Sequence, residues 1–202
     1  MSNILSKAKD SIRELAIRLL KKVEAKEEAS LKARGAIRLC GEAISLSHRG
    51  QIDEAKMKLR QAREVINELR LKHQDLELEA FNTLLQEYVE AETLISIVEG
   101  RPLPSVDELQ VTDEAYILGL ADLIGELRRR ILEEMRKENT SEAERVYEIM
   151  RELYEMLWPL EYPRSLVPGL RHKIDVMRRV VDETLHDLTL MRTLEMRTRR
   201  TN

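Results

Sequence analysis

The sequence predicts an all-α fold, a helical bundle of about six to seven helices in one domain over residues 1–202. Three observations lead there. Apolar residues recur at the helical period through long stretches, and no segment alternates convincingly as a strand. Helix breakers are sparse, with 7 Gly and 5 Pro in 202 residues. Charged residues make up 35% against 43% hydrophobic, a mixture suited to amphipathic helices that bury one face. With aromatics at 3%, Leu, Ile, Val, Ala and Met must fill the core.

The elements follow in order. A long first helix is expected from about Ile4 to Ser47, loosened at Gly35 and Gly41. His48-Arg49-Gly50-Gln51 stops it, with Gly50 suited to a left-handed cap. Asp53 opens a second helix through Leu59, Val65, Ile66 and Leu69, and a third covers roughly Asp75 to Val98. Gly100-Arg101-Pro102-Leu103-Pro104 is the clearest breaker. Ser105 with Glu108 is a capping box and predicts a short helix. The next helix begins near Thr112 or Asp113 and ends near Asn139. Ser141 with Glu144 reads as a second capping box, opening a helix that ends around Trp158-Pro159. Pro163 and Pro168-Gly169 bound an irregular stretch, and a last helix runs from about Leu170 into a tail bearing Arg192, Arg197, Arg199 and Arg200.

The net charge of −3 argues against a generally basic protein that coats nucleic acid, and leaves room for a local basic surface. The arginines of the tail also suit a solvated helix end, where they complement the macrodipole. The single Cys40 has no internal partner, so a reducing cytoplasm is the expected home and a small core residue its expected role. No apolar run approaches the roughly 18 residues of a membrane span, and Met1-Ser2-Asn3-Ile4-Leu5 lacks the apolar block of a signal peptide.

Two pairs of carboxylates stand out, Glu87 with Glu90 and Asp122 with Glu126. Each pair is one helical turn apart, so its members share a helix face. On the third helix Phe81, Leu84, Leu85, Tyr88, Ala91 and Ile95 form the apolar face. Glu87 falls at its edge, and Glu90 one step toward the polar side. On the other helix Tyr116, Leu120, Leu123, Ile124, Leu127 and Ile131 are apolar, and Asp122 and Glu126 are the only charges from Tyr116 to Leu127. Gly119 lies one turn before Asp122, where its missing side chain leaves room for a ligand or another backbone. Two readings fit. The pairs are solvent stripes on two amphipathic helices, or they converge as four oxygen ligands for Mg²⁺ or Mn²⁺. A divalent metal held by acids is an apparatus for cutting phosphodiesters.

Other signals are weaker. Glu183-Thr184-Leu185-His186 matches one di-iron element of ferritin-like bundles, but those need two copies. A polar turn in which Asp182 or Glu183 pairs with His186 accounts for it. His48, His73 and His172 show no metal spacing, and there is no Gly-rich phosphate loop or nucleophile motif. The last helix carries Val176, Met177, Val180, Val181, Leu185, Leu188, Met191 and Leu194, more apolar surface than one contact needs, which predicts a homo-oligomer.

Gln86-Glu87-Tyr88-Val89-Glu90-Ala91, followed by Tyr116-Ile117-Leu118-Gly119-Leu120-Ala121-Asp122-Leu123-Ile124-Gly125-Glu126-Leu127, resembles the translin superfamily, on the side of translin-associated factor X. The helix order and length are similar throughout, and Val106-Asp107-Glu108-Leu109 sits where that family has a comparable insertion. The resemblance implies a seven-helix protomer in a hollow octamer, made of one kind of chain as in archaeal relatives. It implies Mg²⁺-dependent endoribonuclease activity on single-stranded RNA inside the shell, leaving 5′-phosphate and 3′-hydroxyl ends. It implies that Glu87, Glu90, Asp122 and Glu126 are the catalytic, metal-holding cluster. Translin itself keeps the fold and nucleic-acid binding without this cluster, so a non-catalytic shell binding single-stranded RNA or DNA is the alternative. A scaffolding bundle is a further rival. Basic residues must offset the substrate's charge. Arg129 and Arg130 are candidates by proximity, with Lys32, Arg34 and Arg38 on the first helix.

Overall fold

The computed structural model describes residues 5–72 and 79–201, with no side-chain description for 195 or 197–201. The expected helix starts at Ile4 and Asp75, residue His73, and the side chains of Arg197, Arg199 and Arg200 therefore lie outside the described residues. Among those residues the chain forms seven α-helices and no strand: α1 (Ser6–His48), α2 (Ile52–Lys72), α3 (Glu79–Val98), α4 (Val106–Leu109), α5 (Asp113–Arg136), α6 (Thr140–Leu157) and α7 (Leu170–Thr201). A 3₁₀ turn, Trp158–Glu161, follows α6. No helix among them is long and apolar enough to cross a membrane.

Small residues set the first packing layer. Ala29, Ala33, Ala36, Cys40 and Ala43 recur at helical spacing on α1 and are all buried. They face α2, whose Ala55, Leu59, Ala62, Ile66 and Leu69 are buried in turn. Lys32 pairs with Glu68 at 2.8 Å and Glu42 with Lys58 at 2.6 Å, so the two helices run antiparallel. The turn between them uses Gly50 at φ 77°. Gly35 and Gly41 do not loosen α1. It is continuous, because the buried small-residue stripe holds it on the far side of those glycines.

Helix α3 packs against α1, α2 and α5, and α5 packs also against α6 and α7. Ser105 caps α4, accepting from Glu108 N at 3.2 Å while the Glu108 carboxylate accepts from Ser105 N at 2.7 Å. Thr112 caps α5 through Ala115 N at 3.2 Å. The expected capping box at Ser141 does not form, and α6 begins at Thr140 with Asn139 in the cap position and no side-chain cap bond. The Asn139 amide instead donates to Glu134 at 2.9 Å. Glu134 is a buried carboxylate held also by Arg130 at 3.2 Å and Lys137 at 3.0 Å, so the chain reversal is tied to α5 rather than to the start of α6.

The contact of α3 with α5 positions the acidic pairs. A Cβ built on Gly119 would lie 2.6 Å from the Gln86 carbonyl oxygen and 2.7 Å from Val89 Cβ. The missing side chain therefore admits another backbone, that of α3. On α5 itself, a Cβ at Gly125 would meet nothing within 4 Å.

These two glycines give paired expectations. Gly119→Ala forces α3 and α5 apart and should cost about 1–3 kcal/mol. Gly125→Ala should stabilise by about 0.5–1 kcal/mol through helix propensity alone. Urea denaturation of the two variants beside the wild type checks both signs.

Candidate metal centre

Glu87 and Glu90 come from α3, Asp122 and Glu126 from α5. Hydrophobic packing fixes both backbones. Leu84, Leu85, Tyr88, Val89 and Ala91 surround the first pair on α3, and Leu123, Ile124 and Leu127 adjoin the second on α5, all buried. Glu87 is half-buried, as its edge position predicts. Glu90 is not toward solvent. It is buried, with 8% of its surface exposed. The helical wheel of α3 considers one face, whereas α3 is covered by α1, α2 and α5 together.

The acids of α5 act on those of α3. Burial, followed by the charges of Glu87, Asp122 and Glu126, pushes the Glu90 carboxyl up to about 8. Burial and then the Asp122 charge also raise Glu87, with Glu126 adding to it. Glu126 moves the other way, because a hydrogen bond from His48 stabilises its carboxylate. Desolvation disfavours the ionised acid and a nearby positive partner favours it.

Two basic residues, neither of them evident as site residues from the sequence, complete the centre. His48 Nε2 lies 2.5 Å from Glu126 Oε2. The ring is buried, and Nδ1 is 3.6 Å from Glu133, too long for a hydrogen bond. Lys173 of α7 donates from Nζ to Asp122 Oδ1. His48 is the last residue of α1, a basic group at a helix C-terminus, and that placement is its only sequence signal. Lys173 lies 51 positions from Asp122. Its signal is that Leu170, Ile174 and Met177, core residues at the start of α7, place it at the edge of the buried face.

The basic candidates fall in different places. Arg129 is at the rim, 3.6 Å from Glu126 and 3.6 Å from Glu133. Arg130 is largely buried against Glu134. Lys32 pairs with Glu28 and Glu68, and Arg34 and Arg38 are exposed on α1. No ion pair among the described residues links these three to the four acids. At the other metal signal, His186 faces Asp187 at 3.6 Å rather than Asp182 or Glu183, and Glu183 is near Arg128 at 3.8 Å.

Among the described residues no three Asp, Glu, His or Cys side chains are set as a ready ligand group. Asp122 is turned to Lys173 and Glu126 to His48. The donor chemistry nevertheless suits a hard divalent cation. Four carboxylates offer only oxygen, and two are held above their ordinary values by burial and by the neighbouring acids.

The raised Glu90 value gives a pH dependence with a definite sign. The folded chain holds this proton more tightly than the unfolded chain, whose ordinary value is 4.5. Its contribution to stability is full below about 4.5 and is lost as pH rises through about 8. Glu90→Gln should therefore melt higher than wild type at pH 8.5 in chelator, by roughly 5 °C. The gap should close near pH 4.5. Thermal melts across that range check it.

Comparison with known proteins agrees with this architecture. The Translin family model matches residues 12–184. An uncharacterized protein of Methanocaldococcus jannaschii is 37% identical over 194 residues, covering 94% of this chain and 87% of its own. The crystal structure of AfC3PO superposes with a TM-score of 0.84 at 29% identity, over 92% of this chain and 99% of that one. AfC3PO in complex with duplex RNA gives 0.81 at 29% identity, over 91% and 97%. Apo-NeC3PO, at 23% identity and a TM-score of 0.79 over 89% and 96%, shares the fold. With seven helices in this order and a family match from residue 12 to residue 184, the chain belongs to the translin family.

Proposed function

We propose that this protein is a metal-dependent endoribonuclease that cuts single-stranded RNA or RNA ends inside an oligomer of its own chain, using Mg²⁺ or Mn²⁺. The observation that carries the reading is that four carboxylates from two helices share one site, in which Glu90 is buried and both Glu87 and Glu90 are raised by burial and by the charges of Asp122 and Glu126. RNA as the ligand class is supported by the AfC3PO complex, whose RNA is duplex. The cytoplasm suits a chain whose one cysteine is buried and unpaired.

Glu87, Glu90, Asp122 and Glu126 would hold the ion, directly or through water. When bound, a divalent ion supplies Lewis acidity toward the phosphate and lowers the pKa of an attacking water. The chain's own groups do the remaining work. Glu90 gives up its proton as positive charge enters the cluster. A carboxylate not fully committed to the ion accepts the water's proton. His48 fixes the orientation of Glu126 from behind. Arg129, half exposed at the rim, offers charge toward the RNA backbone.

One observation favours a second reading, a non-catalytic RNA-binding shell. Lys173 and His48 already balance Asp122 and Glu126, so the cluster has internal partners. The two readings differ in a cleavage assay with Mg²⁺ and with chelator, run beside oligonucleotide binding. The nuclease reading expects wild-type cleavage to stop on chelation while binding continues. It expects Asp122→Asn to lose roughly two to three orders of magnitude in rate, the several kcal/mol that a well-held ion contributes. The variant should fold as well as wild type. Cleavage by Asp122→Asn at the wild-type rate removes Asp122 from the catalytic set. A wild type that binds RNA and never cuts it favours the shell.

The homo-oligomer, an octamer by resemblance, rests on apolar surface. Val176, Leu185 and Leu194 of α7 are exposed, and so are Ile12, Leu15, Ile17, Leu19, Leu20 and Val23 of α1. Surface of this extent is unusual on a monomer. Multi-angle light scattering at micromolar concentration should give a multiple of 23.6 kDa. A monomer there excludes the shell in either reading.

A further inference from the structure

We propose that Lys173 is a substrate-phosphate ligand of the acidic centre, held by Asp122 until a divalent cation takes over that carboxylate. The inference rests on the endoribonuclease reading and assigns a residue outside the four acids.

Leu170, Ile174 and Met177 are buried and anchor this part of α7 against the bundle. Lys173 projects from that anchored stretch to Asp122 on α5. It lies at the border of a cleft of about 340 Å³ between the two helices, which Asp122, Gly125, His172 and Val176 also line. The side chains of Lys173 and Asp122 are 27% and 35% exposed. The pair thus sits at the mouth of the cluster, open to an incoming strand. A four-carbon stem with three rotatable donors can turn from one oxygen anion to another without moving the helix.

Among the described residues, Lys173 makes its one ion pair with Asp122. Its field also lowers Glu87 and Glu90, against the repulsion that raises them. It is the cation paired with Asp122, and its charge reaches both acids of α3. Arg129 is shared between Glu126 and Glu133, each at 3.6 Å, and Arg130 is tied to Glu134 outside the four acids, so neither is paired with Asp122. A divalent ion on Asp122 would withdraw Lys173's partner and place two cations side by side. A non-bridging phosphate oxygen is the anion that then restores the balance, through a charge-assisted hydrogen bond. Lys173 makes and breaks no covalent bond in this role.

The test compares Lys173→Met, which keeps the stem and removes the charge, with Lys173→Arg and wild type. Calorimetric titration with Mn²⁺ alone should show the Met variant binding about fivefold more tightly, since a competing ion pair worth up to ~1 kcal/mol is gone. Its kcat/KM on single-stranded RNA at saturating Mg²⁺ should fall about tenfold, one charge-assisted contact. Its oligonucleotide binding should lose about 0.7 from the slope of log affinity on log salt, one phosphate contact. Lys173→Arg should retain most of the cleavage. The opposite signs are diagnostic, because a residue that merely props the fold would weaken metal binding and cleavage together. Parallel loss in both, or no change in either, overturns the proposal. A wild type that neither binds Mn²⁺ nor cuts RNA retires the endoribonuclease reading instead. A wild type that does both, matched by the Met variant, retires only the role of Lys173.

Discussion

Helices α3 and α5 meet so closely at Gly119 that the Gln86 carbonyl and the Val89 side chain occupy the space a Cβ would need. Gln86 and Val89 lie on either side of Glu87, and Gly119 lies one turn before Asp122. The close contact at Gly119 is therefore also what brings the acids together. What holds it is apolar. Leu84, Leu85, Leu123 and Ile124 are fully buried around the contact, each contributing roughly 1.5–3 kcal/mol relative to exposure. That burial offsets the cost of placing like charges in one small volume.

The charge is then balanced in three different ways. Glu90, the most enclosed, stays protonated up to about pH 8. Asp122 is paired with an ammonium from α7, and Glu126 is hydrogen-bonded to an imidazole from the end of α1. The centre thus draws on four helices, α1, α3, α5 and α7, although its acids come from only two. A divalent cation bound there would substitute for the Glu90 proton and for Lys173 at once, so its binding would release the one and reorient the other, while His48 keeps its hold on Glu126.

The sequence was informative where a signal is local. Helix order, the α4 capping box, the Gly50 stop and the small core role of Cys40 follow from spacing and turn chemistry. Glu87 and Asp122 were visible as carboxylates interrupting apolar arcs. Three features were not legible. The burial of Glu90 depends on α3 being covered on more than one side, which periodicity cannot report. Ser141 has the residue pattern of a cap, but Asn139 is drawn to buried Glu134 and the helix begins two residues earlier than that cap implies. His48 and Lys173 reach the centre from distant helices, with no motif to mark them.

Helix α1 is a rod of 43 residues, about 65 Å long at 1.5 Å per residue. Its buried stripe starts only at Ala29, and its first half is almost wholly exposed. One end is thus an unsupported arm of about 35 Å, and the other end is His48, whose ring touches Glu126. Stiffness makes the two ends one mechanical object. A tilt of one degree about the anchored half sweeps the free tip by about 0.6 Å over such an arm. Whatever covers the apolar stripe from Ile12 to Val23 consequently sets the angle of the lever that bears on the acidic centre.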